Sequence, residues 1–308
     1  MNRAEFLKAA DVRKFLDWLT SDAGRLNSPN GVGEFFWISR SKRWTGVERG
    51  ERWSAESLPA ARCQYYWPSI NPVTGAVHTS FDENAEVLDN LRCGLLNALN
   101  TPGAHGLQEA CFSVLSWGGV GNRPRVALPV RRGPDEGGEL EQYIRKVVAL
   151  LRQEDLTEAS VRGFRTGRPE PFEDSRMDSG TTKIFSLLVD EFVIYDTRVA
   201  CALGGLLGVW WHRYCEKIGT PLPPALRLRM DRTNHRGAKV RRRFPNLALP
   251  GLNDGQQTPN ERLWSNVRAN WLCQELGRRL TCQGQPMRTR DVEAALFMIG
   301  YSADWLDS

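Results

Sequence analysis

The chain has 308 residues, and its 41% hydrophobic and 25% charged residues are values typical of a globular protein. No apolar run approaches the roughly 18 residues that span a bilayer, and the charged N-terminal sequence is unlike a secretory signal. We therefore expect neither a membrane protein nor a secreted one. The cysteines are odd in number and form no CxxC pair, which favours reduced thiols in a cytoplasmic protein.

Apolar residues recur at helical spacing over most of the chain, whereas residues 33–67 are rich in aromatic side chains, Gly and Pro and favour short strands. The predicted helices cover 4–19, 83–99, 106–116, 139–152, 197–217, 260–280 and 288–300. Loops are expected at 131–138 and 163–180, where Gly, Pro and charged residues accumulate. The pattern predicts a mainly α protein, with a smaller aromatic-rich N-terminal lobe at 1–80 and a helical body at 81–308.

Residues 178–204, DSGTTKIFSLLVDEFVIYDTRVACALG, carry charged side chains at the two ends of an apolar run. Asp196 directly precedes the clearest predicted helix, where Asp is a preferred N-cap that contributes about 1 kcal/mol. The helix dipole also keeps such a carboxylate ionised, and an ionised, fixed carboxylate suits stabilisation of a developing positive charge. Capping and catalysis are therefore both open for Asp196, and they are compatible.

Lys183 stands in the first turn of the preceding apolar run. A cation there faces the positive end of the helix dipole, and this repulsion favours the neutral amine that a nucleophilic lysine requires. A solvated lysine is the alternative. Gly180, Thr181 and Thr182 precede it, and a Gly turn at a helix N-terminus exposes N–H groups that can hold a phosphate. An ordinary turn from loop to helix is the other interpretation of those three residues.

A basic segment follows at 225–243, where eight Lys and Arg residues accompany a single Asp. The whole chain has a net charge of only +5, so this segment supplies the positive field and indicates a local site for a polyanion. The alternative is a solvated basic loop without a partner. The cations that we expect to contact phosphates are Arg227, Arg229, Arg236, Lys239, Arg241, Arg242 and Arg243.

Four segments of the chain together resemble one enzyme family. They are SWGGV at 116–120, SGTTKIFSLL at 179–188, FVIYDTRVACALG at 192–204 and RDVEAALFMIGY at 290–301. They resemble the helix-hairpin-helix DNA glycosylases and, within these, the 8-oxoguanine glycosylase-like branch of prokaryotic proteins. In such enzymes a Lys at the end of the hairpin attacks the sugar, and an Asp that heads the next helix assists. Lys183 and Asp196 match those positions, and a single Gly180 stands where the family usually has Gly-x-Gly.

The resemblance implies a helix-hairpin-helix glycosylase-like body and a DNA N-glycosylase that flips a modified base out of double-stranded DNA and excises it. Asp196 would stabilise the cationic sugar or orient water. Lys183 would attack C1′ if the enzyme also cleaves the strand as an AP lyase. The expected DNA contacts at the two helix ends are Gly180, Thr181, Thr182 and Arg198. The base would be an oxidised purine or a bulky phage-type modified cytosine, and the latter would place the enzyme in antiviral defence.

Aromatic side chains are the candidates for the base pocket, because bases stack on them; we name Trp117, Trp37 and Phe36. We expect no cofactor and no metal, since spacing offers no complete ligand set, and we expect a monomer with DNA as its partner. A noncatalytic DNA-binding helical protein that uses residues 227–243 is the alternative. A third interpretation is a helical protein whose Arg-rich loop meets an acidic protein partner.

Overall fold

The computed structural model describes residues 1–21, 33–71, 74–101, 106–123, 125–131, 138–217, 219–229 and 258–307. Of this part, 58% is helix and 5% is strand, so the prediction of a mainly α protein is confirmed. Within these ranges no helix is both long and apolar enough to cross a membrane. The predicted phosphate contacts Arg236, Lys239, Arg241, Arg242 and Arg243 lie outside the described residues, as does most of the predicted loop 131–138.

The α-helices are, in chain order, α1 (Arg3–Lys8), α2 (Ala10–Thr20), α3 (Lys42–Thr45), α4 (Leu58–Cys63), α5 (Phe81–Asn100), α6 (Gly106–Trp117), α7 (Leu128–Arg131), α8 (Glu139–Leu151), α9 (Glu158–Arg162), α10 (Thr181–Leu188), α11 (Thr197–Gly208), α12 (Pro259–Cys282) and α13 (Thr289–Ile299). Short 3-10 turns lie at Pro224–Leu226 and Asp304–Asp307. The described residues also contain two antiparallel hairpins: β1 (Phe35–Ile38) pairs with β2 (Arg52–Ala55), and β3 (Ser69–Ile70) pairs with β4 (Val77–His78).

Local chemistry explains where several of these helices begin and end. The Ser80 hydroxyl accepts the Glu83 N–H, and the Glu83 carboxylate accepts the Ser80 N–H, so a capping box starts α5. The predicted helix 4–19 is divided at Ala9, whose extended backbone separates α1 from α2. The predicted helix 197–217 widens after Gly208 into a π-helical turn at Val209–Tyr214. Periodicity therefore predicted these helices correctly but could not locate the irregular turns within them.

The chain forms two compact units, each built from separate stretches of sequence. Unit 1 contains Met1–Arg3, Trp67–Ile194 and Thr258–Val267, and unit 2 contains Ala4–Tyr66, Tyr195–Gln257 and Arg268–Ser308. This division differs from the predicted one at 80/81, because residues 4–66 pack with the C-terminal third of the chain. A hydrophobic pattern cannot reveal such pairing, since it shows which face is buried and not what covers it.

The core of unit 1 is helical. Helices α5, α6 and α10 pack on one another, and α6 also contacts α7 and α8. Leu95, Val114, Leu115, Tyr143 and Phe185 are fully or almost fully buried among them. This packing fixes the position of α10, whose eight residues are all buried.

The core of unit 2 combines helices with the first hairpin. Helix α13 packs on α4 and α11, and the backbones approach so closely that a Cβ at Gly300 would lie 1.8 Å from the carbonyl oxygen of Arg198. Strand β1 packs on the C-terminal 3-10 turn, where the rings of Phe35 and Trp305 meet edge to face at 5.5 Å. Because only Gly fits at position 300, the first turn of α11 is held tightly against the end of α13.

Candidate functional site

A carboxylate three residues before the first helical residue, Thr181, neutralises the N-terminus of α10 in unit 1. Asp178 Oδ1 accepts the N–H groups of Gly180 and Thr181 at 2.8 and 3.0 Å, and Asp178 Oδ2 accepts the N–H of Ala127 at 2.9 Å. The N–H groups that we predicted to hold a phosphate therefore have an acceptor within the protein. Asp178 also ties the helix to the loop before α7, and no pattern along the chain indicates this role, because Ala127 is distant in sequence.

The two threonines at this helix end face inward. Thr181 Oγ1 donates to the carbonyl oxygen of Arg176 at 2.8 Å, and Thr182 Oγ1 donates to Asn266 Oδ1 at 2.8 Å. The amide of Asn266 in turn donates to the carbonyl oxygen of Val193 at 3.2 Å. Both hydroxyls are buried, so in this conformation they hold α10 in the core of unit 1.

Lys183 is buried, which contradicts the alternative of a solvated lysine. Only 5% of its surface is exposed, and its Nζ donates to the carbonyl oxygen of Ser179 at 2.9 Å. The aliphatic part of the side chain lies against Gly118, where an added Cβ would come within 2.3 Å of Lys183 Cδ. The glycine therefore makes the room that the lysine occupies.

The turn that contains Gly118 is fixed on both sides. Trp117 Nε1 donates to Asn84 Oδ1 at 3.0 Å, and the Trp117 carbonyl oxygen accepts Trp67 Nε1 at 3.0 Å. Gly119 follows with φ +66°, and a Cβ there would lie 3.2 Å from the Trp67 ring. Trp117 is 6% exposed, so this conformation leaves its ring little surface on which a base could stack.

Asp196 caps α11 in unit 2, as its position before the apolar run predicts. Its Oδ1 accepts the N–H groups of Arg198 and Val199 at 2.9 and 3.2 Å. The residue is only half-buried. The cap bonds fix the orientation of the carboxylate, and partial exposure keeps it accessible from outside unit 2.

Arg198 lies in an aromatic environment. It is 8% exposed, and its guanidinium carbon is 4.2 Å from the ring centroid of Phe297 and 5.0 Å from that of Tyr301. Its Nη2 donates to the carbonyl oxygen of Trp44 at 3.3 Å. These cation–π contacts use the face of the guanidinium to join α11 to α13, and burial limits the contact with DNA that we predicted for this residue.

Polar and aromatic groups continue along the same face of α13. Arg290 Nη1 donates to the buried Glu293 at 2.7 Å, and the ring of Tyr65 lies 5.8 Å from that of Phe297. Burial raises the pKa of the Tyr65 phenol, and the negative charges of Glu293 and Asp196 raise it further against the opposing charge of Arg198. Tyr65 lies far from Asp196 and Glu293 in sequence, so no local pattern indicates that these residues are close.

The two pocket candidates from the N-terminal lobe have different surroundings. Trp37 is fully buried, stacks on Trp53 at 4.9 Å with an interplanar angle of 6°, and donates its Nε1–H to the carbonyl oxygen of Met298. It is a core residue of unit 2. Phe36 is half-buried, and the guanidinium carbon of Arg52 lies 4.2 Å from its ring centroid.

Two cations of the basic segment fall within the described residues. Arg227 is exposed, and its Nε donates to the carbonyl oxygen of Leu222 at 2.5 Å. Arg229 is half-buried, and its carbonyl oxygen accepts the hydroxyl of Tyr195. These contacts fix the start of the segment within unit 2. Among the residues that the structure describes, no group of His, Cys, Asp and Glu side chains is arranged to hold a metal ion.

Comparison with protein-family models, with curated proteins and with solved structures finds no match to this chain.

Proposed function

We propose that the protein is a DNA N-glycosylase with a helix-hairpin-helix glycosylase-like body, which excises a modified base from double-stranded DNA. The observation that carries the proposal is the packing of Lys183 on Gly118. These residues belong to two of the segments on which the resemblance rests, and unit 1 brings these segments into contact. Burial of a cation is costly. A lysine that is buried where a glycine makes room for it therefore favours a functional role over that of an ordinary surface lysine.

In this proposal Asp196 acts on the sugar. Loss of the base leaves positive charge on the sugar ring, and a fixed carboxylate stabilises that charge or orients the water that adds to C1′. Two backbone N–H groups hold the carboxylate in one orientation. The half-buried position suits a group that must meet its substrate without reorganisation.

Lys183 has the second role. Its amine would attack C1′ and form a Schiff base if the enzyme also cleaves the strand, and Nζ must then release the carbonyl oxygen of Ser179 to which it donates here. The phosphates would be bound by the cations of the segment 225–243, with electrostatic affinity that falls as salt rises. The substrate base is an oxidised purine or a bulky modified cytosine, and the latter supports a role in defence against phages.

The test is incubation of the protein with duplexes that carry normal, oxidised, alkylated or phage-modified bases, followed by mass spectrometry of the released bases. Release of one modified base with formation of an abasic site is the expected result. Salt-dependent binding of the same duplexes without release of any base would instead establish the noncatalytic DNA-binding alternative. Absence of both binding and release would leave neither interpretation standing.

A further inference from the structure

The short hairpin of β3 and β4 in unit 1 presents apolar side chains to solvent. Ile70 and Val77 lie directly opposite each other in the antiparallel pair, so both side chains project from the same face. They are 60% and 65% exposed, whereas the neighbouring Ser69 is buried. The hairpin thus turns a polar residue inward and two apolar residues outward, which reverses the usual pattern of an antiparallel pair on a protein surface. Adjoining apolar side chains in this position indicate a surface that meets a partner.

The base of this hairpin is fixed to the turn that carries Gly118. Trp67, which shortly precedes β3, donates its Nε1–H to the carbonyl oxygen of Trp117 at 3.0 Å. The Trp67 ring also lies against Gly119, and the preceding Gly118 packs against Lys183. The exposed apolar pair is therefore attached, within one unit, to the turn that holds the proposed nucleophile.

The loop that follows this turn supplies positive charge, which the hairpin lacks. Residues 67–80 contain no Asp, Glu, Lys or Arg, and residues 117–131 contain three Arg and no acidic residue. Arg131 holds the loop together, because its guanidinium donates to three of the loop's carbonyl oxygens at 2.7, 3.1 and 2.8 Å. Arg123 and Arg125 are exposed. An apolar pair beside exposed cations fits a partner that is apolar inside and anionic outside, as stacked bases between phosphates are.

The small size of the apolar pair favours DNA over a second protein as this partner. Each side of a stable protein complex buries roughly 800 Å², far more than two aliphatic side chains provide. A gap between two base pairs, in contrast, is filled by apolar side chains that enter it as a wedge. We propose that Ile70 and Val77 form such a wedge and enter the base stack of the bound DNA. Arg123 and Arg125 bind the phosphates beside it.

This inference rests on the DNA binding in the proposed function and not on base excision, so binding alone can test it. A wedge must unstack a base step, and this costs less where a mismatch has already weakened the stack. We therefore expect the wild type to bind a duplex with one mismatch about tenfold more tightly than the fully paired duplex. Kd is measured for both duplexes by fluorescence anisotropy over a series of salt concentrations.

The variant that removes the wedge is the double substitution Ile70→Thr with Val77→Thr. Thr keeps the β-branched shape that suits a strand, and both positions are exposed, so the Tm should stay close to that of the wild type. The preference for the mismatched duplex should fall to within about twofold, because no apolar group remains to enter the stack. The dependence of Kd on salt should not change. The matched control, Ile70→Val with Val77→Ile, keeps the apolar surface and should keep the wild-type preference.

The variant that removes the phosphate contacts has the opposite expectation. Arg123→Ala with Arg125→Ala should weaken binding to both duplexes alike and reduce the slope of log Kd against log salt by about 2, one for each phosphate contact. Its preference for the mismatched duplex should remain, because the wedge is intact. An unchanged slope would remove these two cations from the DNA surface and overturn that part of the inference.

Three other results would overturn the wedge itself. The first is a wild type without a mismatch preference, and the second is a Thr variant that keeps it; both leave the excision proposal intact. The third is a dimer of the wild type, detected by sedimentation, that the Thr variant abolishes, since this would assign the surface to a second copy of the chain. If the wild type binds neither duplex at low salt, the inference and the proposed function fail together, whereas binding without release of any base fails only the glycosylase proposal.

Discussion

The N-termini of α10 and α11 both have backbone N–H groups that donate to an Asp carboxylate, but the two carboxylates are placed differently. Asp196 stands directly before α11 and caps it with its own side chain, whereas Asp178 reaches α10 from outside and also holds Ala127. The first arrangement leaves a half-buried carboxylate, and the second buries the adjacent cation of Lys183 against a glycine. A helix capped by Asp can therefore leave the charge of the cap partly exposed, as at α11, or stand beside a buried cation, as at α10.

The largest effect should come from removing the charge of Asp196 while keeping the cap. Asn caps almost as well as Asp, so Asp196→Asn should fold with a Tm close to that of the wild type. A positioned electrostatic group is typically worth about 10²–10³ in rate, and single-turnover excision should fall by that factor. A well-folded variant with the wild-type rate would reduce Asp196 to a cap and remove the contrast in function between the two helix ends.

The second prediction compares the two caps in stability. Asp178→Ala removes the acceptor of three N–H groups and should lower the free energy of unfolding by about 2–3 kcal/mol, because hydrogen bonds to charged groups are strong. Asp196→Ala removes an ordinary N-cap and should cost about 1 kcal/mol. Urea unfolding followed by circular dichroism measures both. Equal losses would show that the bond to Ala127 contributes nothing to the tie between loop and helix.

A third prediction concerns the space that Gly118 provides. Gly118→Ala places a Cβ on the Lys183 side chain, and overpacking of this kind costs about 1–3 kcal/mol. Gly94→Ala is the matched control, because Gly94 is exposed within α5 and an added Cβ there meets nothing within 4 Å. That control should be neutral or stabilising by up to about 1 kcal/mol. If both variants have the same Tm, the close packing of Lys183 is not a constraint in solution.

The smallest effect concerns a third helix end, at α5. Backbone N–H groups of Ser80 and Thr79, with the Ser80 hydroxyl, lower the pKa of Glu83 to about 2. A carboxylate whose pKa is lower in the folded than in the unfolded state stabilises the fold above its unfolded pKa, and this contribution is lost as pH falls towards 2. The Tm of Glu83→Gln should therefore fall less than the Tm of the wild type between pH 5 and pH 2. Parallel Tm curves over that range would contradict the charged cap.

The sequence predicted what depends on neighbours along the chain. Asp196 as a cap and most helix bounds follow from local patterns. Burial of Lys183 could not be predicted, because it depends on Gly118, a residue on a distant turn. The group around Tyr65 could not be predicted for the same reason, because only tertiary packing brings its residues together. Trp37 was a pocket candidate because it is aromatic, but stacking on Trp53 uses its face in the core.

The discontinuous units also have a consequence for synthesis. Unit 2 includes Ala4–Tyr66 but is completed only by Arg268–Ser308, while most of unit 1 lies between them. At about 5–20 residues per second, the ribosome needs roughly 10–40 s to make the intervening stretch. During this time Phe6, Phe15 and Trp18 cannot reach the burial that they have in the complete unit. The nascent N-terminus therefore exposes apolar side chains during synthesis, and we expect a chain that stops before residue 268 to aggregate through this end.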